Sequence, residues 1–169
     1  MVKTESSNVV ICDAGPIIHL HELEQLSLLG DFSKVFVTET VLKEVEKHRL
    51  IDFSHLSIDI VSAPAVDSQL SALATAFCLH AGEISALSFA RTKSDVLFLT
   101  DDTAARLAAR QMNLRVHGTL GILIRSVRRG LKSSSEIKAC LKSIPSRSTL
   151  HIKATLIRSA VKDLKKFYG

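Results

Sequence analysis

Short apolar runs, each followed by a polar turn and then by helical spacing, set the rhythm of this chain. Val96-Leu97-Phe98-Leu99 is four apolar residues in a row, which predicts a strand buried on both faces. Thr100, Asp101 and Asp102 follow at once, and Thr103 to Met112 then shows helical spacing with Leu107, Ala108 and Met112 on one side. Val9-Val10-Ile11-Cys12 predicts a second buried strand and ends on Asp13. Ala14-Gly15-Pro16 makes a tight turn, with Pro16 where a first helical turn accepts it. Ile17, Leu20, Leu23 and Leu26 form the stripe of a first helix that Gly30 stops.

Val35-Phe36-Val37 predicts a third strand, followed by a helix through Arg49 capped by Thr38 or Thr40. Val41 and Val45 mark its buried side, Glu44 flanks that side, and Glu39 and Glu46 face water. Leu56 to Val61 alternates and then runs apolar, as a short edge strand does. Gln69 to Leu79 predicts a helix with Leu70, Leu73 and Phe77 inward, broken by Gly82. Glu83 opens another helix through Arg91, with Ala86, Leu87 and Ala90 inward. Leu114 to His117 is a last short strand; Gly118-Thr119-Leu120-Gly121 leads into a helix over Ile122 to Arg129 that Gly130 ends. Ser133 to Glu136 reads as a capping segment for a helix through Leu141, broken by Pro145. Ser148 to Phe167 contains a final basic helix. Alternating strands and helices argue for a parallel sheet covered on both faces. The expected organisation is one domain over residues 1–130 with a basic helical extension over 131–169 packed on it.

Asp13, Glu44, Glu83 and the Asp101/Asp102 pair all fall just after a strand or at a helix start. Each has an ordinary structural role open to it, as a helix cap or a favourable partner of the helix dipole. Taken together they point elsewhere. Crossover connections bring these points to one edge of the sheet, where ligands bind in open α/β folds. Two carboxylates 4 Å apart repel by ~4 kcal/mol at an effective dielectric of 20. An oxygen-only cluster of this kind suits a hard cation, Mg²⁺ or Mn²⁺.

Charge divides the chain. Residues 1–105 hold 7 Lys+Arg against 15 Asp+Glu, whereas residues 106–169 hold 15 against 2. An acidic half and a basic half suggest an anionic polymer as partner, with a cation held among the acids; solvated basic helices are the plainer explanation. Cys12, Cys78 and Cys140 are far apart and odd in number, which argues against a disulfide frame or a zinc knuckle. No apolar run approaches a membrane span, and Met1 to Asn8 is short and polar without a signal pattern, so a soluble, cytoplasmic protein is expected. His19 and His21 are two apart on a helix and face different ways, so they are no metal pair. His48, His55, His80, His117 and His151 stand alone, and Cys12 faces the core.

The residues resemble a known family. Val9 to Asp13, the Glu44 helix, Gly82-Glu83-Ile84-Ser85-Ala86-Leu87 and Leu99-Thr100-Asp101-Asp102 with Arg106 are similar to the acidic motifs of PIN domains, over about residues 8–130. Gly118-Thr119-Leu120-Gly121 resembles a feature of one little-characterised, mostly prokaryotic PIN-like subgroup. The resemblance implies a three-layer α/β/α sandwich with a mostly parallel central sheet and, for active members, metal-dependent cleavage of single-stranded RNA. Many members are toxins of toxin–antitoxin pairs (VapC-type ribonucleases), held by a small antitoxin, and homodimers are usual. By position Asp13 matches the first acid, Glu44 the second and Glu83 the third; Asp102 best matches the fourth, with Asp101 the adjacent candidate. The chain departs from the pattern in having Ala14 and Gly15 where a Ser or Thr often follows the first acid, and Glu83 where Asp is common.

The resemblance implies an endoribonuclease with Mg²⁺ or Mn²⁺ on Asp13, Glu83 and Asp101/Asp102, with Glu44 beside them. Arg106, Arg125, Arg128, Arg129 and Lys132 then hold the RNA backbone. The alternative is a PIN-like module that binds nucleic acid or a protein without cutting. An aspartyl phosphatase would want a second Asp two residues after the first, where Gly15 stands.

Overall fold

The computed structural model describes residues 9–168; the Met1 to Asn8 stretch read above lies outside them. The apolar runs become five parallel strands: β1 (Val9–Cys12), β2 (Lys34–Thr38), β3 (Ile58–Val61), β4 (Leu97–Leu99) and β5 (Arg115–His117). They lie in the order β3-β2-β1-β4-β5, with Ile11 paired to Phe36 on one side and Phe98 on the other. Val10, Ile11 and Cys12 are consecutive and all fully buried. Successive strand side chains point to opposite faces, so both faces of the sheet are covered. This is the α/β/α sandwich expected, and β3 is an edge strand as the alternation predicts.

Helices fill the connections: α1 (Ala14–Glu22), α2 (Glu39–His48), α3 (Ser68–Phe77), α4 (Ala81–Ala90), α5 (Thr103–Gln111), α6 (Thr119–Arg128), α7 (Ser134–Arg147) and α8 (Ala154–Tyr168). Several boundaries differ from the sequence reading. The first helix ends at Leu23 because Glu24 takes a left-handed backbone; Leu26–Asp31 is a separate 3-10 segment that contains Gly30. Cys78, not Gly82, stops α3: it is left-handed (φ 54), and Leu79 N–H reaches back to Ala74 O at 2.9 Å. Gly82 lies inside α4, and α6 starts at Thr119, three residues before Ile122. Pro145 sits inside α7 without breaking it. It removes one hydrogen bond in a helix that ends two residues later, where little ladder remains to lose. On α5 the buried face is Ala105, Ala108 and Ala109, while Leu107 is 43% exposed.

Ile137, Leu141, Ile144, Ile157 and Leu164 of α7 and α8 join the same hydrophobic core as the sheet. Between those helices, Glu22 accepts hydrogen bonds from Ser148 Oγ (2.8 Å) and Thr149 N–H (2.7 Å). Residues 150–153, which follow that tie, line a cavity together with Leu120, Ile124 and Arg128 of α6. No helix is long and apolar enough to cross a membrane, among the described residues.

Candidate active site

Strand order reverses direction between β1 and β4, since β2 and β3 continue on one side and β5 on the other. A crevice at such a switch point is where ligands bind in open parallel sheets. Asp13 ends β1 there and the Asp101/Asp102 pair ends β4.

Asp13 is only 5% exposed. Its N–H donates to Leu99 O at 2.9 Å, and the Thr100 hydroxyl donates to its Oδ2 at 2.9 Å. Burial raises its pKa from the ordinary 3.8 to about 7; Thr100 and the Ala14 amide counteract this, and the charges of Glu83 and Glu44 add to the rise. No Lys or Arg is paired with Asp13, Glu44, Glu83 or Asp102 among the described residues. The same Thr100 oxygen accepts from Asp102 N–H at 3.2 Å, so one hydroxyl links the first and fourth acids of the expected set.

Glu83 occupies the first turn of α4 and is buried. Its Oε2 accepts from His80 N–H at 2.8 Å, capping the helix, and the His80 ring lies 3.7 Å away. Burial raises its pKa, the His80 amide opposes that, and the Asp102 charge adds to the rise. Glu44 on α2 faces Gly82 so closely that a methyl group there would run into its carboxylate. The buried hydroxyls of Thr38 and Ser85 meet at 2.6 Å; Thr38 also caps α2 and Ser85 donates to Gly82 O at 2.8 Å. This pair locks α2 and α4 together at the end of β2, which brings Glu44 and Glu83 beside Asp13. Thr38 is one of the two caps expected for α2 and Ser85 lies in the Glu83 motif, but nothing in spacing pairs positions 38 and 85.

The two aspartates after β4 separate. Asp102 is exposed, and its Oδ1 accepts from Ala105 N–H at 2.8 Å as the cap of α5. Asp101 turns the other way. Its Oδ1 accepts from Thr119 N–H (2.7 Å), and its Oδ2 accepts from the Thr119 hydroxyl (2.5 Å) and meets His19 Nδ1 at 2.8 Å. His19 and Thr119 are further site-flanking residues that sequence periodicity did not reveal. Gly118 lies so close that a Cβ would run into Asp101 Oδ1.

Asp13, Glu44, Glu83 and Asp102 therefore gather at one place, and Asp101 belongs to an adjoining hydrogen-bond cluster. No three His, Cys, Asp or Glu side chains stand ready as a metal-ligand group, among the described residues. Glu83 and Asp102 each spend a carboxylate oxygen on a helix end. In chemical type these donors, all carboxylate oxygens, are those a hard divalent cation takes, and the buried Asp13 has no positive partner among the described residues.

The basic residues also divide. Arg125 Nε and Arg129 Nε grip Asp31 at 2.8 and 3.2 Å, and the Arg125 guanidinium lies over the Phe32 ring. Lys132 approaches Glu136 at 4.0 Å. Arg106 Nη1 donates to Thr100 O at 3.1 Å. Arg106 and Arg128 line a cavity of about 630 Å³ that also reaches Asp101. Cys12 is buried with its thiol pKa pushed up by burial and by Asp13 and Asp101, as suits a core residue.

A family model described as a PIN domain matches residues 9–166. The match runs through α7 and most of α8, well beyond the stretch of about 8–130 that carried the resemblance. Comparison with curated proteins and with solved structures gives no match.

Proposed function

The chain belongs to the PIN-domain family, and on that premise we propose that it is a metal-dependent endoribonuclease acting on single-stranded RNA. PIN domains are typically nucleases that use divalent metal ions. One observation carries the reading for this chain: buried Asp13 has Glu83 and Glu44 at its side, the Asp102 N–H tied to it through Thr100, and no cationic side chain paired with them among the described residues.

Asp13, Glu83 and Asp102 would hold Mg²⁺ or Mn²⁺, with Glu44 orienting water beside them. When bound, such an ion supplies positive charge at the scissile phosphate and makes water more acidic. Thr100 keeps Asp13 Oδ2 oriented by donating its hydroxyl proton. Asp101 has both oxygens engaged with Thr119 and His19 and acts as a strut that fixes α6 to the end of β4. Arg106, anchored on Thr100 O, stands at the rim where a phosphodiester backbone would pass.

The test is Mn²⁺-dependent cleavage of a single-stranded RNA by wild type and by Asp13→Asn. Cutting that needs the metal and disappears in the variant supports the reading; undiminished cutting by the variant sinks it. The caps on Glu83 and Asp102 favour a second reading, an RNA-binding module that does not cut. RNA retained in EDTA, with no cleavage when Mn²⁺ is added, selects that one. The family resemblance extends the proposal to a cytoplasmic, homodimeric toxin neutralised by a small antitoxin. Growth arrest on expression in a bacterial host, relieved by Asp13→Asn, tests that part.

A further inference from the structure

The Gly118–Gly121 stretch that caps and opens α6 and the segment after α7 take no part in the carboxylate cluster, yet they meet around one space. The cavity of about 630 Å³ lies between the start of α5, the end of β5, α6 and the residues that lead into α8. One wall is apolar, built by Leu120, Ile124 and Leu156, the last 51% exposed at the mouth. The rim carries Arg106, Arg128 and Lys153. The Arg128 and Lys153 side chains make no ion pair or hydrogen bond among the described residues. Asp101, the immediate neighbour of Asp102, also lines it.

Resting on the nuclease reading above, we propose that this cavity takes one nucleotide of the single-stranded substrate beside the cleaved linkage, its base on the apolar wall and its phosphate on Arg128 and Lys153. The volume falls in the range of small-ligand pockets, roughly 300–1,000 Å³. Single-stranded RNA presents unstacked bases that need apolar or planar surfaces, and His117 adds an imidazole to the cavity lining. Partial burial, followed by the charges of Arg128, Arg106, Arg115 and Arg125, lowers the pKa of His117, an independent sign of positive potential at this place. Charge also decides against the rival occupants. Residues 106–169 hold 15 Lys+Arg and 2 Asp+Glu, so two copies meeting through this face would repel, whereas a phosphodiester chain releases counterions. The 150–156 segment supplies part of the pocket, which makes the basic C-terminal region a working part of the substrate site. With few hydrogen-bonding groups on the apolar wall, the pocket accepts any base and sets position more than sequence.

The test uses the full chain in EDTA with a fluorescent single-stranded oligoribonucleotide carrying 4-thiouridine. Arg128→Ala combined with Lys153→Ala is expected to weaken binding roughly tenfold and to flatten the salt slope by about 1.4. Leu156→Asp should weaken binding as well, since an acid then faces the strand. These side chains are exposed or unpaired, and thermal melts of the variants verify that the fold is kept. Photo-crosslinks should fall on α6 or on residues 150–156. Unchanged affinity and slope in both variants, or crosslinks on another face, overturn the proposal. So does a dimer, or a complex with an acidic protein, that Leu156→Asp abolishes while RNA affinity stays the same. RNA bound here without Mn²⁺-dependent cleavage would sink the nuclease reading alone. Cleavage with unaltered KM and affinity in the double variant would sink the pocket alone.

Discussion

Asp13→Asn is the substitution whose consequences follow most directly from the geometry. Asp13 has a folded pKa of about 7 against an ordinary 3.8, burial being the largest cause. The folded state therefore binds more protons than the unfolded state between those values, and stability falls as pH rises through that window. At ~1.4 kcal/mol per pH unit, the gap bounds the cost of ionising Asp13 at roughly 4 kcal/mol. An Asn at this position still accepts the Thr100 hydroxyl proton but carries no charge. Urea unfolding in EDTA, followed by circular dichroism from pH 5 to pH 8, measures the effect as the difference between wild type and variant. Contributions of opposite sign from the lowered pKa of His117 and from Glu22 are common to both proteins and cancel. The variant should gain on wild type steadily from pH 5 and lead by on the order of 2–4 kcal/mol at pH 8. Saturating Mn²⁺ should recover the difference for wild type at pH 8 and do little at pH 5, because the ion replaces the proton. A pH-independent difference, or a variant less stable than wild type at pH 8, would refute the claim that Asp13 is an uncompensated buried carboxylate.

Gly82→Ala should hold or raise Tm, since Ala gains ~1 kcal/mol over Gly inside a helix, while lowering metal-dependent cleavage because the new methyl displaces the Glu44 carboxylate; unaltered kcat/KM would remove Glu44 from the site. Gly118→Ala meets backbone as well as side chain, with Thr100 O at 3.1 Å from the added carbon, so chemical denaturation should show a loss of about 1–3 kcal/mol. Arg125→Ala strands the buried Asp31 with Arg129 as its remaining partner; a stability loss of roughly 2–4 kcal/mol, with little change in the salt slope of RNA binding, is the expected outcome. A large fall in RNA affinity without destabilisation would return Arg125 to the binding surface.

Much of this protein is written in local pattern. The apolar runs at Val9–Cys12, Val35–Val37 and Val96–Leu99 can bury only as interior strands, and the acids that follow them must then lie at strand ends. Chain connectivity alone carries Asp13 and the Asp101/Asp102 pair from β1 and β4 to the rim of the sheet, whereas Glu44 and Glu83 lie within α2 and α4 and were singled out by family resemblance as well as position. Helix ends were less legible. Glu24 and Cys78 stop their helices in a left-handed conformation that neither residue advertises, and Pro145 is tolerated only because its helix is about to finish.

What sequence could not decide was direction at the scale of a single side chain. Asp101 and Asp102 are adjacent and chemically identical, yet the carboxylate of one is clamped by Thr119 and His19 while that of the other turns to the Ala105 N–H at the start of α5. Five basic residues looked alike, and tertiary contacts commit two of them to Asp31 while placing Arg106 and Arg128 beside a cavity. Periodicity fixes which face of an element a residue occupies, because that depends on backbone geometry alone. Which partner waits on that face depends on segments tens of residues away, and only the folded chain brings them there.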